Sequence, residues 1–266
     1  KAFSKGTKMT MKKTYLKRFK DLGGKILKLT TAERLIKLNN LWSIEVKQKN
    51  RKGNIKAKNI ILSAGTIGTA KILKKSKLSS LAGKNFQMHP TIKVVALFKE
   101  KINFQDMGVP VHQVKEFSPD ISFGCSISSK SYLRVALLDH PNFLTHVDEK
   151  WENMAIYYCM IKPKGFGKIM CLPFFDDSIV SYHLHDSDKL NLAVGLKNLC
   201  RLLLKAGAVN LFPSINGVHP VSKSQHIELL PNKINPSQTS LMTVHLFSSC
   251  PIGENRKYCV ANSCTE

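Results

Sequence analysis

The segment Asn59 to Thr69, Asn-Ile-Ile-Leu-Ser-Ala-Gly-Thr-Ile-Gly-Thr, constrains the fold more than any other part of the chain. Ile60-Ile61-Leu62 is a near-continuous apolar run, the pattern of a strand buried on both faces. It enters the small residues Ser63-Ala64-Gly65-Thr66 and then a lysine-rich run from Ala70 to Leu78 that predicts a helix. A strand, a small-residue turn and a helix aim backbone N–H groups outward at a helix N-terminus and let a ligand approach the backbone closely. Dinucleotide sites use this geometry, although the glycines alone are equally accounted for by turn sterics.

The flanking sequence changes character on either side. Thr14 to Leu22 predicts a short helix with Tyr15, Leu16, Phe19 and Leu22 on one side, closed by Gly23-Gly24. The runs Lys25–Leu29, Leu35–Leu38, Trp42–Val46 and Ala57–Leu62 read as an antiparallel meander, with turns at Asn39-Asn40 and across Asn50 to Asn54. Beyond Gly83 short strands are expected at Ile92–Phe98, Met154–Ile161 and Ile179–His185. A helix opening at Asp188 then repeats Leu192, Leu196, Leu199 and Leu203 until Gly207 stops it. The pattern is a β-sheet with a covering helix, an α+β arrangement.

With 43% hydrophobic and 22% charged residues the 266-residue chain is a folding sequence. No run approaches the roughly 18 apolar residues of a membrane span. The net charge of +23 is concentrated: residues 1–100 hold 25 Lys+Arg and 4 Asp+Glu, the remainder 16 and 14. Lys outnumbers Arg 22 to 3 in the basic part, whereas nucleic-acid readers favour the bidentate fork of Arg with interleaved aromatics. A nucleic-acid partner is therefore not expected. The seven cysteines, at 125, 159, 171, 200, 250, 259 and 264, form no CxxC pair, which suits reduced, mostly buried thiols in a cytosolic protein.

Isolated chemistry is sparse. His183 and His185 would share a strand face, but no third ligand stands at a recognisable spacing. His89-Pro90 reads as a loop, and His245 lies where an apolar run meets the small-residue turn before Cys250. A lone thiol near a histidine, with no third group to orient it, does not define a nucleophile.

Four segments together carry a resemblance. Lys8-Met9-Thr10-Met11-Lys12-Lys13-Thr14-Tyr15-Leu16 precedes Gly24-Lys25-Ile26-Leu27. Ile60 to Thr69 is close to "VVLSAGAIGTP", Gly83-Lys84-Asn85-Phe86-Gln87-Met88-His89-Pro90 to "GRNLQDHP", and His245 to Gly253 to "HPMGTCRMG". In this order they resemble the glucose-methanol-choline (GMC) family of FAD-dependent alcohol oxidoreductases. The resemblance implies an α/β and α+β protein: part of a Rossmann-type FAD-binding domain with a β-meander, and a substrate domain of antiparallel sheet covered by helices. It places residues 1–86 in the FAD domain, 87–218 in the substrate domain and 219–266 in a return to the FAD domain. Ser63, Ala64, Gly65 and Thr66 would line the adenosine side of FAD, Ala32 would face the adenine, and Asn85 and His89 would sit near the domain junction. His245 would be the catalytic base that takes the hydroxyl proton as hydride leaves for flavin N5. Val109–Phe123 and Ile179–Asp188 would be pocket walls. The partner implied is a small-molecule alcohol, with the electron acceptor (oxygen, quinone or cytochrome) left open.

The sequence departs from the family at Ala70, at Lys77 where the family has Gly, and at Leu246-Phe247-Ser248-Ser249 where it has Pro-Met-Gly-Thr. The Gly-rich pyrophosphate motif has no counterpart and a second active-site His or Asn is expected beyond Glu266, so the chain reads as a central and C-terminal fragment. The alternative is a non-catalytic fragment or a basic module for nucleic acid or acidic surfaces.

Overall fold

A computed structural model describes residues 9–105, 107, 108, 110–172 and 175–266. Lys8 and Val109, the first residues of two segments singled out above, lie outside the described residues. In chain order the elements are α1 (Tyr15–Asp21), β1 (Thr30–Lys37), β2 (Trp42–Gln48), β3 (Arg51–Ala57), α2 (Gly65–Lys75), β4 (Gln87–Met88), β5 (Thr91–Phe98), β6 (Gln113–Val114), β7 (Ile121–Cys125), α3 (Lys130–Ala136), α4 (His146–Lys150), β8 (Met154–Ile161), β9 (Phe166–Cys171), β10 (Ser178–His183), α5 (Asp186–Lys205), β11 (Ala208–Pro213), α6 (Ser224–Glu228) and β12 (Leu246–Phe247). Among the described residues no helix is long and apolar enough to cross a membrane.

The chain forms two compact units. The first comprises residues 89–164 and 184–245 and is built on a five-stranded antiparallel sheet in the order β11-β5-β8-β7-β6. Alternation along β5 separates its side chains: Ile92, Val94 and Ala96 join the cluster under α5, and Val95 and Leu97 join a second cluster with Leu133 and Ala136 of α3 and Val147 of α4. Leu192, Leu196, Leu199 and Leu203 of α5 are all buried against the first face, as their helical spacing predicts. The helix begins at Asp186, two residues before the expected start. His185 is its N-cap, with Nδ1 accepting the Ser187 N–H at 3.2 Å, and the buried Asp188 carboxylate accepts the N–H groups of His185 (3.1 Å) and Lys164 (2.8 Å). Gly207, at φ +96°, ends it.

The second unit comprises residues 9–88, 165–183 and 246–266. It holds the meander β1-β2-β3, the hairpin β9-β10, the short pair β4-β12 and helix α2. The hairpin thus packs with this unit although it falls in the middle of the 87–218 segment. A cluster of Ala70, Ala82, Phe86 and Ile169 forms the core here.

Several sequence expectations are corrected. Asn59–Ser63 is not a buried strand: no strand among the described residues pairs with it, and Ile61 is 91% exposed. An apolar run becomes a strand only where neighbouring strands accept its N–H and C=O groups. Lys25–Leu29 forms no strand, and the second meander turn is Lys49-Asn50 rather than Asn50 to Asn54. Arg51 pairs with Gln48 and Gly53 with Val46, so polar residues that read as loop are one edge of the sheet. Helix α2 runs from Gly65 to Lys75 instead of Ala70 to Leu78, because Lys77 turns left-handed at φ +57°. β10 ends at His183 and His185 caps α5, so the two histidines do not share a strand face. Of the seven thiols, only Cys159 and Cys200 are buried.

Candidate active site

Two groups of candidate residues emerge, one in each unit. In the second unit a cavity of about 600 Å³ opens between the meander and α2. It is lined by Ala32 and Glu33 of β1, by Ala64, Gly68, Lys71 and Lys75 of the turn and helix, by Lys47 and Lys49, and by Asp176 and Asp177, among others. Ala32 and Ala64, 32 residues apart in sequence, therefore face the same space. Small side chains shape its wall: a Cβ on Gly68 would come 3.0 Å from the Ala64 Cβ, and Gly65 adopts φ +74°, a conformation open to glycine at no steric cost. Lysines outnumber the acids around the rim, and two of them already engage Asp176: Lys71 Nζ donates to its carbonyl and Lys47 Nζ lies 3.5 Å from its carboxylate. With Glu33 also on the rim, four lysines face three acids, a balance of one positive charge.

The turn itself is held from a distant part of the chain. Thr66 Oγ1 donates to Leu246 O at 2.8 Å, and the buried Ser249 donates through Oγ to Thr66 O at 2.7 Å. The Gly83 N–H in turn donates to Ser249 O at 2.6 Å. At Gly83 (φ +74°) a Cβ would sit 3.1 Å from the Ile169 carbonyl oxygen, so this junction needs glycine. Three sequence-separated motifs thereby meet at Ser249. Ser63 and Gly65 are exposed, Thr66 and Asn85 partly so.

In the first unit His89 and His245 lie side by side, ring centroids 5.8 Å apart at 75°, and the His89 N–H donates to the His245 carbonyl at 3.3 Å. His89 Nδ1 is 3.0 Å from the Ile161 carbonyl, which can only accept, so Nδ1 carries the proton. The Thr91–Met242 bridge holds the same two chain segments together. The His245 ring is exposed and makes no hydrogen bond among the described residues, leaving a nitrogen available to accept a proton.

Sequence reasoning missed the cavity lysines at 71 and 75 and the latch residue Ser249. The i, i+4 spacing of the lysines was visible, but which face of α2 they occupy depends on where the helix starts. The pocket-wall stretch Ile179–Asp188 divides: Ile179–His183 belongs to the hairpin of the second unit, and Leu184–Asp188 to the first unit at the start of α5.

Comparison with known proteins follows the same motifs. Residues 2–91 match the GMC oxidoreductase family. Over 265 residues the chain is 30% identical to the uncharacterized GMC-type oxidoreductase y4nJ of Sinorhizobium fredii, covering 97% of this chain and 52% of that protein. The long-chain-alcohol oxidase FAO1 of Arabidopsis thaliana is 25% identical over 177 residues, 62% of this chain and 22% of that one. Among solved structures, pyridoxine 4-oxidase from Mesorbium loti aligns with a TM-score of 0.60 at 14% identity, over 88% of this chain and 49% of the oxidase, which speaks for the fold. The chain thus spans about half the length of the Sinorhizobium protein and of the oxidase structure. A family match over residues 2–91 and similarity running through 97% of the chain agree: the chain is similar to the GMC oxidoreductases along nearly its whole length.

Proposed function

We propose that this chain forms part of an FAD-dependent enzyme that oxidises an alcohol. The observation that carries the reading is the convergence of Ala32, Ala64 and Gly68 on one lysine-rimmed cavity, beside a turn latched through Ser249. A flat ring slides between alanines and a glycine where larger side chains would collide, and the lysines complement phosphate charge. Ser63, Ala64, Gly65 and Thr66 would hold the adenosine end of FAD with Ala32 against the ring, and Asn85 and His89 would bind it near the domain junction. When bound, the flavin supplies the hydride acceptor, its N5 atom.

The chain's own residues supply the proton chemistry. A neutral alcohol is a poor hydride donor, and removing its proton builds alkoxide character that lowers the barrier. In this reading His245 accepts that proton. His89, fixed by Ile161 O in the Nδ1–H form, packs edge-on against the His245 ring and positions it. The domain reading accompanies this proposal: 1–86 and 219–266 serve the cofactor, 87–218 the substrate.

The test is made on the longest natural form of the protein. Purified enzyme is expected to carry flavin that an alcohol bleaches anaerobically. His245→Asn is expected to slow that reduction by about 100-fold or more while keeping its flavin, the loss of a general base being worth about 10²–10⁴-fold. Reduction at the wild-type rate in the variant would remove His245 from the mechanism.

A further inference from the structure

One face of the five-stranded sheet changes character along its length. Under α3 and α4 it is apolar, with Val95, Ile156 and Phe212 side by side on β5, β8 and β11. The next row of the same face reads Ser214, Lys93, Tyr158, Gly124, Gln113. Lys93 pairs with Tyr158, Tyr158 with Gly124 and Gly124 with Gln113, and the Ser214 N–H donates to Lys93 O at 2.9 Å. Period-two alternation puts these side chains on the Val95 face, away from α5. Gly124 has a specific use: a Cβ there would lie 2.5 Å from Tyr158 Oη, so the glycine lets the phenol lie across the sheet, where Gln113 Nε2 donates to Oη at 3.3 Å.

Two groups in this row lack partners among the described residues. Ser214 is 1% exposed and its Oγ has no hydrogen bond. Lys93 is half-buried and forms no ion pair or side-chain hydrogen bond; burial lowers its pKa, against a weaker opposing pull from Asp139. A partly desolvated ammonium beside a buried orphan hydroxyl is a costly arrangement that an anion would relieve. Side chains directly opposite on neighbouring strands stand about 5 Å apart, within the span of one carboxylate. His89 lies four residues upstream of Lys93, about 13 Å along an extended chain.

We infer that Ser214 and Lys93 anchor a carboxylate carried by the alcohol substrate, several atoms from the hydroxyl that reacts, and that Lys93 determines this specificity. The inference rests on the functional reading above. The carboxylate accepts from Lys93 Nζ and Ser214 Oγ, while the Tyr158 phenol leans away over Gly124 toward Gln113.

The experiment uses the flavin-loaded, longest natural form and two matched probe pairs: 1-butanol with 4-hydroxybutanoate, and benzyl alcohol with 4-(hydroxymethyl)benzoate. The wild type is expected to reduce its flavin at least 10-fold more efficiently with the anionic member of at least one pair. Lys93→Met abolishes that preference and leaves the neutral alcohol within about twofold, and Lys93→Arg restores most of it. Calorimetric binding of benzoate, which cannot react, weakens at least 10-fold in Lys93→Met and severalfold in Ser214→Ala, a readout that needs no turnover. Flavin reduced equally by both members of each pair, with benzoate binding unchanged in Lys93→Met, would overturn the inference and leave the flavoenzyme reading standing. Protein that carries no flavin would overturn that reading, and the inference with it.

Discussion

The two units dispose of their apolar residues in opposite ways. In the sheet unit both faces of β5 are covered, and the leucines of α5 that face it, Leu192, Leu196, Leu199 and Leu203, are at most 3% exposed. In the meander unit α1 has no buried residue, and Leu22, Leu29 and Ile61 are 88%, 77% and 91% exposed. The difference teaches where stability comes from: in the first unit from a closed core, in the second from a small alanine-rich cluster and a set of polar latches. The candidate binding features follow the same division. The cavity with its lysine rim belongs to the loosely packed unit, and the histidine pair and the polar row belong to the closed one.

Core truncation should expose this contrast most strongly. Leu196→Ala is expected to cost about 2–5 kcal/mol in denaturant unfolding, the usual range for a fully buried leucine, and Phe19→Ala about 0.5 kcal/mol or less. Equal losses would dissolve the contrast. Asp188→Ala should cost about 2–3 kcal/mol, because two N–H groups lose a buried carboxylate acceptor, and calorimetric melting of the variant measures it.

The thiols divide the units by pH. Burial pushes Cys159 and Cys200, both in the sheet unit, up to about 12. These acids have folded pKa values above their unfolded ones, so the unfolded chain ionises first and stability falls as pH rises from about 9 to about 12. The slope approaches about 1.4 kcal/mol per thiol per pH unit. A thiol reagent at pH 8 should label the exposed Cys264 at once and these two only on unfolding. Rapid labelling of Cys159 or Cys200 in the native state would contradict a closed core.

The smallest effect lies in the backbone of the meander unit. Lys77 and Ser248 adopt φ +57° and +62°, a region that strains a side-chain-bearing residue. Lys77→Gly and Ser248→Gly are each expected to stabilise by up to about 1 kcal/mol, read as a raised melting temperature. No change would mean that the strain is already relaxed in solution.

These two positions also show how far the sequence could be read. Both were recognisable as places where the family has glycine, but that they need a left-handed backbone became visible only with the fold. Helix α5 and strands β5 and β8 were legible because a buried face repeats at a fixed period. Ser63 to Thr66, His89 and His245 could be named from motif order. The latch through Ser249 and the row from Ser214 to Gln113 could not, since each joins residues through strand register or backbone contacts that leave no local pattern. Lys93 did leave a trace, a lone charge in Thr-Ile-Lys-Val-Val-Ala-Leu-Phe, but its meaning depends on the neighbours that β8 and β11 bring beside it. The apolar run at Ile60 misled because its pattern reports what a strand would bury and not whether partners pair with it.

The central claim, that the cavity beside Ala64 holds FAD, is tested most directly by filling it. Ala64 is exposed, so Ala64→Trp should leave the fold intact while placing an indole where the ring would lie. In the longest natural form, the flavin-to-protein ratio after gel filtration is predicted to fall from near one to below about one tenth, with thermal unfolding of the sheet unit unchanged. An Ala64→Trp variant that keeps its full complement of flavin would contradict the account.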